Sequence, residues 1–429
     1  MTAADAGSAD ELVLDLFRRE SAHLVSALTR VLGPSNLPLA EDVVHDALLS
    51  AMQAWRFGLP RDPRAWLLQV AKNRAIDLIR RDRRLKTLSP GLDSEWTLVG
   101  TVESALSPAE DAANQLAMMF SICDDKLSGE THVTLILRFL CGLSPSEIAR
   151  AFMVDTKTID RRLHRGRARL QELGRLHDVS DPAEVSAREP SVLRALYLLF
   201  NEGYHGSDSE NPLQPALCAD ALRLCELLLE SPAISPAPAH ALSALFCFNA
   251  ARLATRLDEQ GVFVPLSQQD RAAWDRSLIG RGAAHLGAAA TGTQLTRWHL
   301  EAGIACEHSL APSVPETNWA RIVDLYDALL ELNPGPIVAL NRALALAELR
   351  GLDAGREELL AVAGDEKLAR YPFFWAALAD IERRAGRPAV ARPHYERAVS
   401  LARSRAERVA YQRKLALLEP ECHSGREPN

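Results

Sequence analysis

The chain has 429 residues, 47% apolar and 24% charged, with 49 Lys and Arg against 56 Asp and Glu. That length predicts roughly two to four domains, and the composition excludes wholesale disorder, a collagen-like repeat and a coiled-coil rod. The net charge of −7 is spread unevenly: +2 over residues 1–90, −7 over 91–125, +5 over 126–176 and −7 over 177–429.

The opening residues carry acids where a secretory or transit peptide needs bases, which predicts a cytoplasmic protein. The longest uncharged stretch, Ser231 to Ala251, is broken by Pro232, Pro236, Pro238 and Asn249. It falls short of the roughly 20 continuous apolar residues of a membrane helix, so no membrane contact is expected. The seven cysteines form no C-x-x-C pair and sit in apolar patterns, against a disulfide framework or zinc site. Phosphate-loop, dinucleotide, zinc-protease and nucleophile-elbow motifs are missing, so neither an enzyme nor a cofactor is expected.

In chain order, Leu12, Leu16, Leu24 and Leu28 share a helical face, Gly33-Pro34 interrupts, and a helix follows from Ala40 to Arg56. After Pro63 helical spacing resumes, with Trp66, Val70, Ile76 and Ile79 on one side. Lys72 to Lys86 then holds seven basic residues against two acids. Thr87 to Asp111 has Ser, Pro and Gly, only negative charges and no helical period, and reads as a linker. Ser144-Pro145-Ser146-Glu147 is a capping box with proline in the first turn, opening a helix from Pro145 to Phe152. Asp155 caps the next helix, whose span Thr156 to Arg175 again holds seven bases against two acids.

Helix, tight turn and basic helix form a helix-turn-helix pattern. Its angle is expected to bury Ile148, Ala149, Phe152, Val154, Ile159 and Leu163. Thr156, Lys157, Thr158, Asp160 and Arg161 fall at base edges, and Arg162, Arg165, Arg167 and Arg169 on phosphates. A basic run of this kind is also what a solvated helix face looks like, but two of them flanking an acidic linker suggest two contacts on one polyanion.

At this point the chain resembles the sigma-70-type RNA polymerase initiation factors, in their extracytoplasmic-function group. Ala40-Glu41-Asp42-Val43-Val44-His45-Asp46-Ala47-Leu48-Leu49 looks like the family's polymerase-clamp helix, Arg64 to Arg81 like its promoter −10 segment, and Leu143 to Leu170 like its −35-reading helix-turn-helix. The resemblance implies that Glu41, Asp42, His45, Asp46 and Leu49 dock on the core polymerase. Trp66, Lys72, Asn73, Arg74, Arg80 and Arg81 would hold the opening −10 strand. Asp160 stands where many relatives carry a cation, which leaves the −35 word open.

Minimal members end near residue 176, and 253 residues follow here. In that extension Trp375, Leu378, Ala379, Ala391, Tyr395 and Ala398 fit a 34-residue tetratricopeptide (TPR) register, and Asn341, Leu344, Ala345 and Glu348 keep it one repeat earlier. Trp319, Ile322, Tyr326, Leu329 and Pro334 fit the repeat before. Asn201, Glu202, Gly203 and Tyr204 interrupt an apolar run and resemble a signature of the subgroup bearing such an extension, as do Trp274-Asp275-Arg276 and Ala339 to Ala343. Gly203 reads as a helix terminus, and Glu202 inside an apolar run as a group that needs donors.

The expected fold is all-α, with a region 2 bundle at 10–86, a linker at 87–111, a helix-turn-helix region 4 at 112–176, a linker at 177–189 and a TPR-like solenoid at 190–420. The expected partners are core polymerase, promoter DNA and, from the resemblance, a small DGPF-type protein. The competing reading is a helical-repeat scaffold or ligand-sensing DNA-binding regulator that does not bind polymerase. A third is an enzyme using His240, His285, His299 and His308, which are scattered in the sequence.

Overall fold

The computed structural model describes residues 17, 20–55, 59–81, 95–152, 154–177, 179–205, 213–402 and 404–418. Leu12 and Leu16 lie outside them. Among the described residues regular structure is helical, apart from one isolated bridge between Leu257 and Phe263. No described helix is long and apolar enough to cross a membrane. Two compact units emerge, 1–200 with 223–235 and 201–222 with 236–429.

In the first unit, α1 (20–32) buries Leu24 and Leu28 completely. Helix α2 (Leu37–Ala54) starts with Pro38 in its first turn, where a missing N–H costs nothing. Its Ala40, Val43, Val44, Ala47 and Ala51 form the buried seam. Helix α3 (Pro63–Arg81) buries Leu67, Ala71, Ala75 and Ile76. This corrects the expected seam: Trp66 and Val70 are half-buried, and the Ile79 side chain lies outside the described residues.

The acidic linker is also not wholly irregular. Residues Glu95–Ala105 form α4, whose Val102 is fully buried. Periodicity could not find it because tertiary contacts sustain it: the Asn114 amide donates to the Ala105 carbonyl (2.7 Å) and Lys72 pairs with Glu103 (2.7 Å). Helices α5 (Asp111–Ile122) and α6 (Gly129–Phe139) follow. Next come α7 (Pro145–Ala151) and α8 (Thr156–Glu172).

Helix α9 (Pro182–Tyr204) carries Pro190 in its interior. The expected break through Pro190 is therefore narrower, because buried Val185, Val192, Leu193 and Leu196 hold the helix across the proline. Gly203 lies inside α9 rather than ending it. A Cβ there would meet the Gln214 carbonyl oxygen at 2.8 Å and the Cys218 amide at 2.9 Å, so the residue serves a close approach.

The second unit takes its helices from α10 (Pro215–Leu229, to residue 222) and α11 (Pro236–Ala250) onward. A long span without α-helix, 251–275, which holds the short 3-10 helices Leu253–Thr255, Leu266–Gln268 and Arg271–Ala273, leads to α12 (Arg276–Ala289), capped by Asp275. The remaining helices are α13 (Arg297–Leu310), α14 (Trp319–Leu332), α15 (Pro336–Arg350), α16 (Leu352–Ala361), α17 (Glu366–Ala369), α18 (Pro372–Arg384), α19 (Pro388–Leu401) and α20 (Arg405–Ala416). Leu340, Leu359, Leu368, Phe374, Leu378 and Ile381 form one core of this series. Ala379, Ala391 and Tyr395 form another between α18 and α19. Glu382, 1% exposed, is neutralised by Arg356 (2.5 Å) and by Arg387.

Candidate nucleic-acid interface

The helix-turn-helix is built locally. The Ser144 hydroxyl accepts from the Glu147 amide (3.2 Å) while the Glu147 carboxylate accepts from the Ser144 amide (2.7 Å), closing the capping box. At the start of α8 the Asp155 carboxylate accepts from the Lys157 amide (3.1 Å). Ile148, Ala149, Ile159 and Leu163 are buried in the angle, with Phe152 and Val154 half-buried. Gly166 sets the spacing to α6, since a Cβ there would lie 2.4 Å from a Leu135 methyl.

The outer face of α8 is divided. Thr156, Lys157, Asp160, Arg161 and Arg165 are exposed, and Thr158 is half-buried beside them. Lys157, Arg161 and Arg165 make no ion pair among the described residues. The other three arginines do not project freely, which corrects the uniform outward face. Arg162 pairs with Glu130 and lies over the Phe152 ring (5.9 Å). Arg169 pairs with Asp124 (2.9 Å) and Glu172 (2.5 Å). Arg167 donates to Glu41 (2.8 Å) and lies over Phe139 (5.8 Å). Burial opposes ionisation of Asp124, but hydrogen bonds from Arg169 and the Lys126 amide outweigh it and hold that carboxyl at about 2.

Helix α2 presents an exposed stripe of Asp42, His45, Asp46 and Leu49, spaced as one helical face. Met52, 59% exposed, extends the stripe one turn; its position three residues after Leu49 was the available signal. Glu41 departs from this face. Its side chain is 13% exposed and is clasped by Arg138 (2.7 Å) and Arg167 (2.8 Å), linking α2 to α6 and α8.

On α3, Asn73 and Arg74 are exposed, and the Asn73 side-chain Oδ1 accepts from the Gln69 side-chain Nε2 (3.0 Å). Lys72 is held by Glu103, and Trp66 packs edge-on against Trp55 at 5.6 Å. Arg80 and Arg81 continue the helix, with side chains outside the described residues. Lys86 also lies outside them. The structure thus brings together Asn73 and Arg74 as an open polar face, and gives Lys72 and Trp66 partners within the protein.

In the second unit Tyr204 is buried and its hydroxyl accepts from Arg252 (2.7 Å), while Asn201 and Glu202 are half-buried. The histidines are less scattered than the sequence suggests: His240 Nδ1 lies 2.9 Å from His285 Nδ1. His299 instead completes a capping box with Thr296. No group of three or more metal-ligating side chains occurs among the described residues.

Three segments of the chain match known family models. Residues 16–85 match the model of Sigma-70 region 2, and residues 125–170 that of Sigma-70, region 4. Residues 188–290 match a family of unknown function, DUF6596. An uncharacterized protein of Rhizobium meliloti (strain 1021) is 32% identical over 396 residues, covering 90% of this chain and 92% of that one. The ECF RNA polymerase sigma factor SigW of Bacillus subtilis (strain 168) is 29% identical over 149 residues, 33% of this chain and 78% of that one. The ferric citrate uptake sigma factor FecI of Escherichia coli (strain K12) is 29% identical over 121 residues, 28% of this chain and 67% of that one.

Proposed function

We propose how this chain, which belongs to the sigma-70 family of RNA polymerase sigma factors and to its extracytoplasmic-function group, divides promoter recognition among its helices. The exposed stripe Asp42, His45, Asp46, Leu49 and Met52 of α2 docks on core polymerase. Asn73 and Arg74 of α3, with Arg80 and Arg81, take the opened −10 strand, an amide for the bases and cations for phosphate. Lys72 joins them once Glu103 releases it, and Trp66 supports the helix through its packing on Trp55. The start of α8 enters the −35 major groove with Thr156, Lys157, Thr158, Asp160 and Arg161 toward base edges and Arg165 on phosphate.

The observation that carries this reading is the exposed, unneutralised face Lys157, Arg161 and Arg165 on the helix that the Asp155 cap opens. Arg162, Arg167 and Arg169 take a positioning role, since carboxylates of the same unit already neutralise them.

The extension is a TPR-like solenoid in this proposal, supported by the burial of Leu378, Ala379, Ala391, Tyr395 and Ala398 at the repeat's packing positions. It modulates promoter activity, the protein works in the cytoplasm without catalysis of its own, and a small DGPF-type protein is a candidate partner. Run-off transcription with core polymerase over a promoter pool tests the whole reading: specific new start sites are expected. A folded protein that neither pulls down polymerase nor starts transcripts would replace it with a polymerase-independent DNA-binding regulator.

A further inference from the structure

The span 251–275, which has no α-helix, holds three arginines in a setting that their neighbours do not neutralise. Arg256 is 9% and Arg271 7% exposed, and Arg252 is half-buried. Among the described residues no carboxylate lies within ion-pair distance of any of the three. A buried guanidinium is costly unless paired and hydrogen-bonded, so each requires an account.

Arg271 has one. It donates to the His308 carbonyl (2.9 Å) and the Ala311 carbonyl (2.7 Å), closing the C-terminus of α13, where the helix dipole is negative. Arg252 and Arg256 do not. Arg252 donates to the Tyr204 hydroxyl and to the Asn249 side chain (2.6 Å), both neutral. Arg256 stacks over Tyr204 at 3.7 Å and over Phe263 at 5.4 Å and reaches His205 Nδ1 at 3.4 Å, while its buried Nε has no partner.

Cation–π stacking contributes about 2 kcal/mol when desolvated, less than the several kcal/mol that burial of an ion costs. Burial, with repulsion from Arg252, presses the Arg256 guanidinium below its ordinary value. Burial, with Arg252 and Arg271, also lowers His308 to about 3. The unit therefore carries two guanidinium charges that lack a counter-charge, beside an orphaned donor.

We propose that Arg252 and Arg256 form a binding site for a phosphate-type oxyanion, free or carried on a small molecule. Two forked cations match a dianion in charge and in bidentate geometry, and the Nε of Arg256 supplies the donor left open. The site uses Tyr204 of the Asn201–Tyr204 segment and Trp274 of the Trp274-Asp275-Arg276 segment as its walls, with the Trp274 indole anchored on Thr255 (3.0 Å). It gives both segments a role that promoter contact does not, and it stands independently of the polymerase reading.

The test uses the full-length protein titrated with inorganic phosphate against chloride at matched ionic strength, by calorimetry and by thermal unfolding. One saturable site per chain and a rise in the unfolding midpoint of about 2–4 °C are expected. Arg252→Gln and Arg256→Gln should each weaken binding at least roughly tenfold. Arg350→Gln, an exposed arginine of α15, should leave it unchanged. Should Arg256→Gln fail to fold, Arg256→Lys, which keeps the charge and loses the fork, should fold and bind more weakly. A parallel titration with phenyl phosphate separates the sources: tighter binding indicates a phosphorylated small molecule, and equal or weaker binding indicates the free anion. Absence of any saturable difference between phosphate and chloride in the unmodified protein would overturn the proposal, as would equal weakening by Arg350→Gln.

Discussion

Glu41 is the residue on which α2 meets α6 and α8, and Glu41→Gln is the sharpest perturbation of the first unit. It removes a charge shared by Arg138 at 2.7 Å and Arg167 at 2.8 Å. Hydrogen bonds to charged groups contribute about 1.5–3 kcal/mol each. The arginine side chains are 28% and 30% exposed, so solvent screens part of that, and Gln keeps the volume and one acceptor. A net loss of roughly 2 kcal/mol follows, read as a lower urea midpoint with unchanged slope.

A double-mutant cycle of Glu41→Gln with Arg167→Gln should return a coupling of roughly 1 kcal/mol. Release of Arg167 also adds one more free cation to α8, the helix proposed to meet DNA. The plot of log promoter affinity against log salt should therefore steepen by about 0.9. If the urea midpoint and the salt slope both match the unmodified protein, the Glu41 clasp is not an organising contact and this reasoning fails.

Three further predictions follow from the same geometry. Arg165→Ala should leave helicity and unfolding unchanged while making the promoter salt slope shallower by about 0.9; fluorescence anisotropy at several salt concentrations measures it, and an unaltered slope would take this arginine off the phosphates. The Asp124 carboxyl, held at about 2 against an ordinary 3.8, stabilises the fold fully above that ordinary value and loses the contribution as pH falls toward 2. Acid titration of Asp124→Asn should accordingly show lower stability at neutral pH and a flatter decline below pH 4, and a profile parallel to the unmodified protein would contradict it. Gly166→Ala should destabilise by about 1–3 kcal/mol, because the new methyl overlaps the side chain of fully buried Leu135; thermal unfolding reads the loss, and a stabilised variant would show that α6 and α8 can part freely.

The sequence by itself determined the features that local chemistry governs. Ser144 to Glu147 closes a capping box because its partners are three residues apart, and Asp155 opens the recognition helix by the same short reach. Proline in a first turn, alternating apolar seams and the acidic stripe of α2 are likewise written in spacings of three and four. The tertiary structure alone decided matters of distance. Glu41 and Arg167 lie 126 positions apart, and no periodicity announces that a residue next to the exposed stripe of α2 is spent inside the protein. Helix α4 and the passage of α9 through Pro190 also depend on packing, which supplies what local propensity withholds. Half-buried Arg252 and buried Arg256 are the extreme case: in sequence they are two ordinary arginines four residues apart. Only the fold withdraws them from water without supplying a carboxylate, because desolvation is a property of everything that surrounds a group and not of its neighbours along the chain.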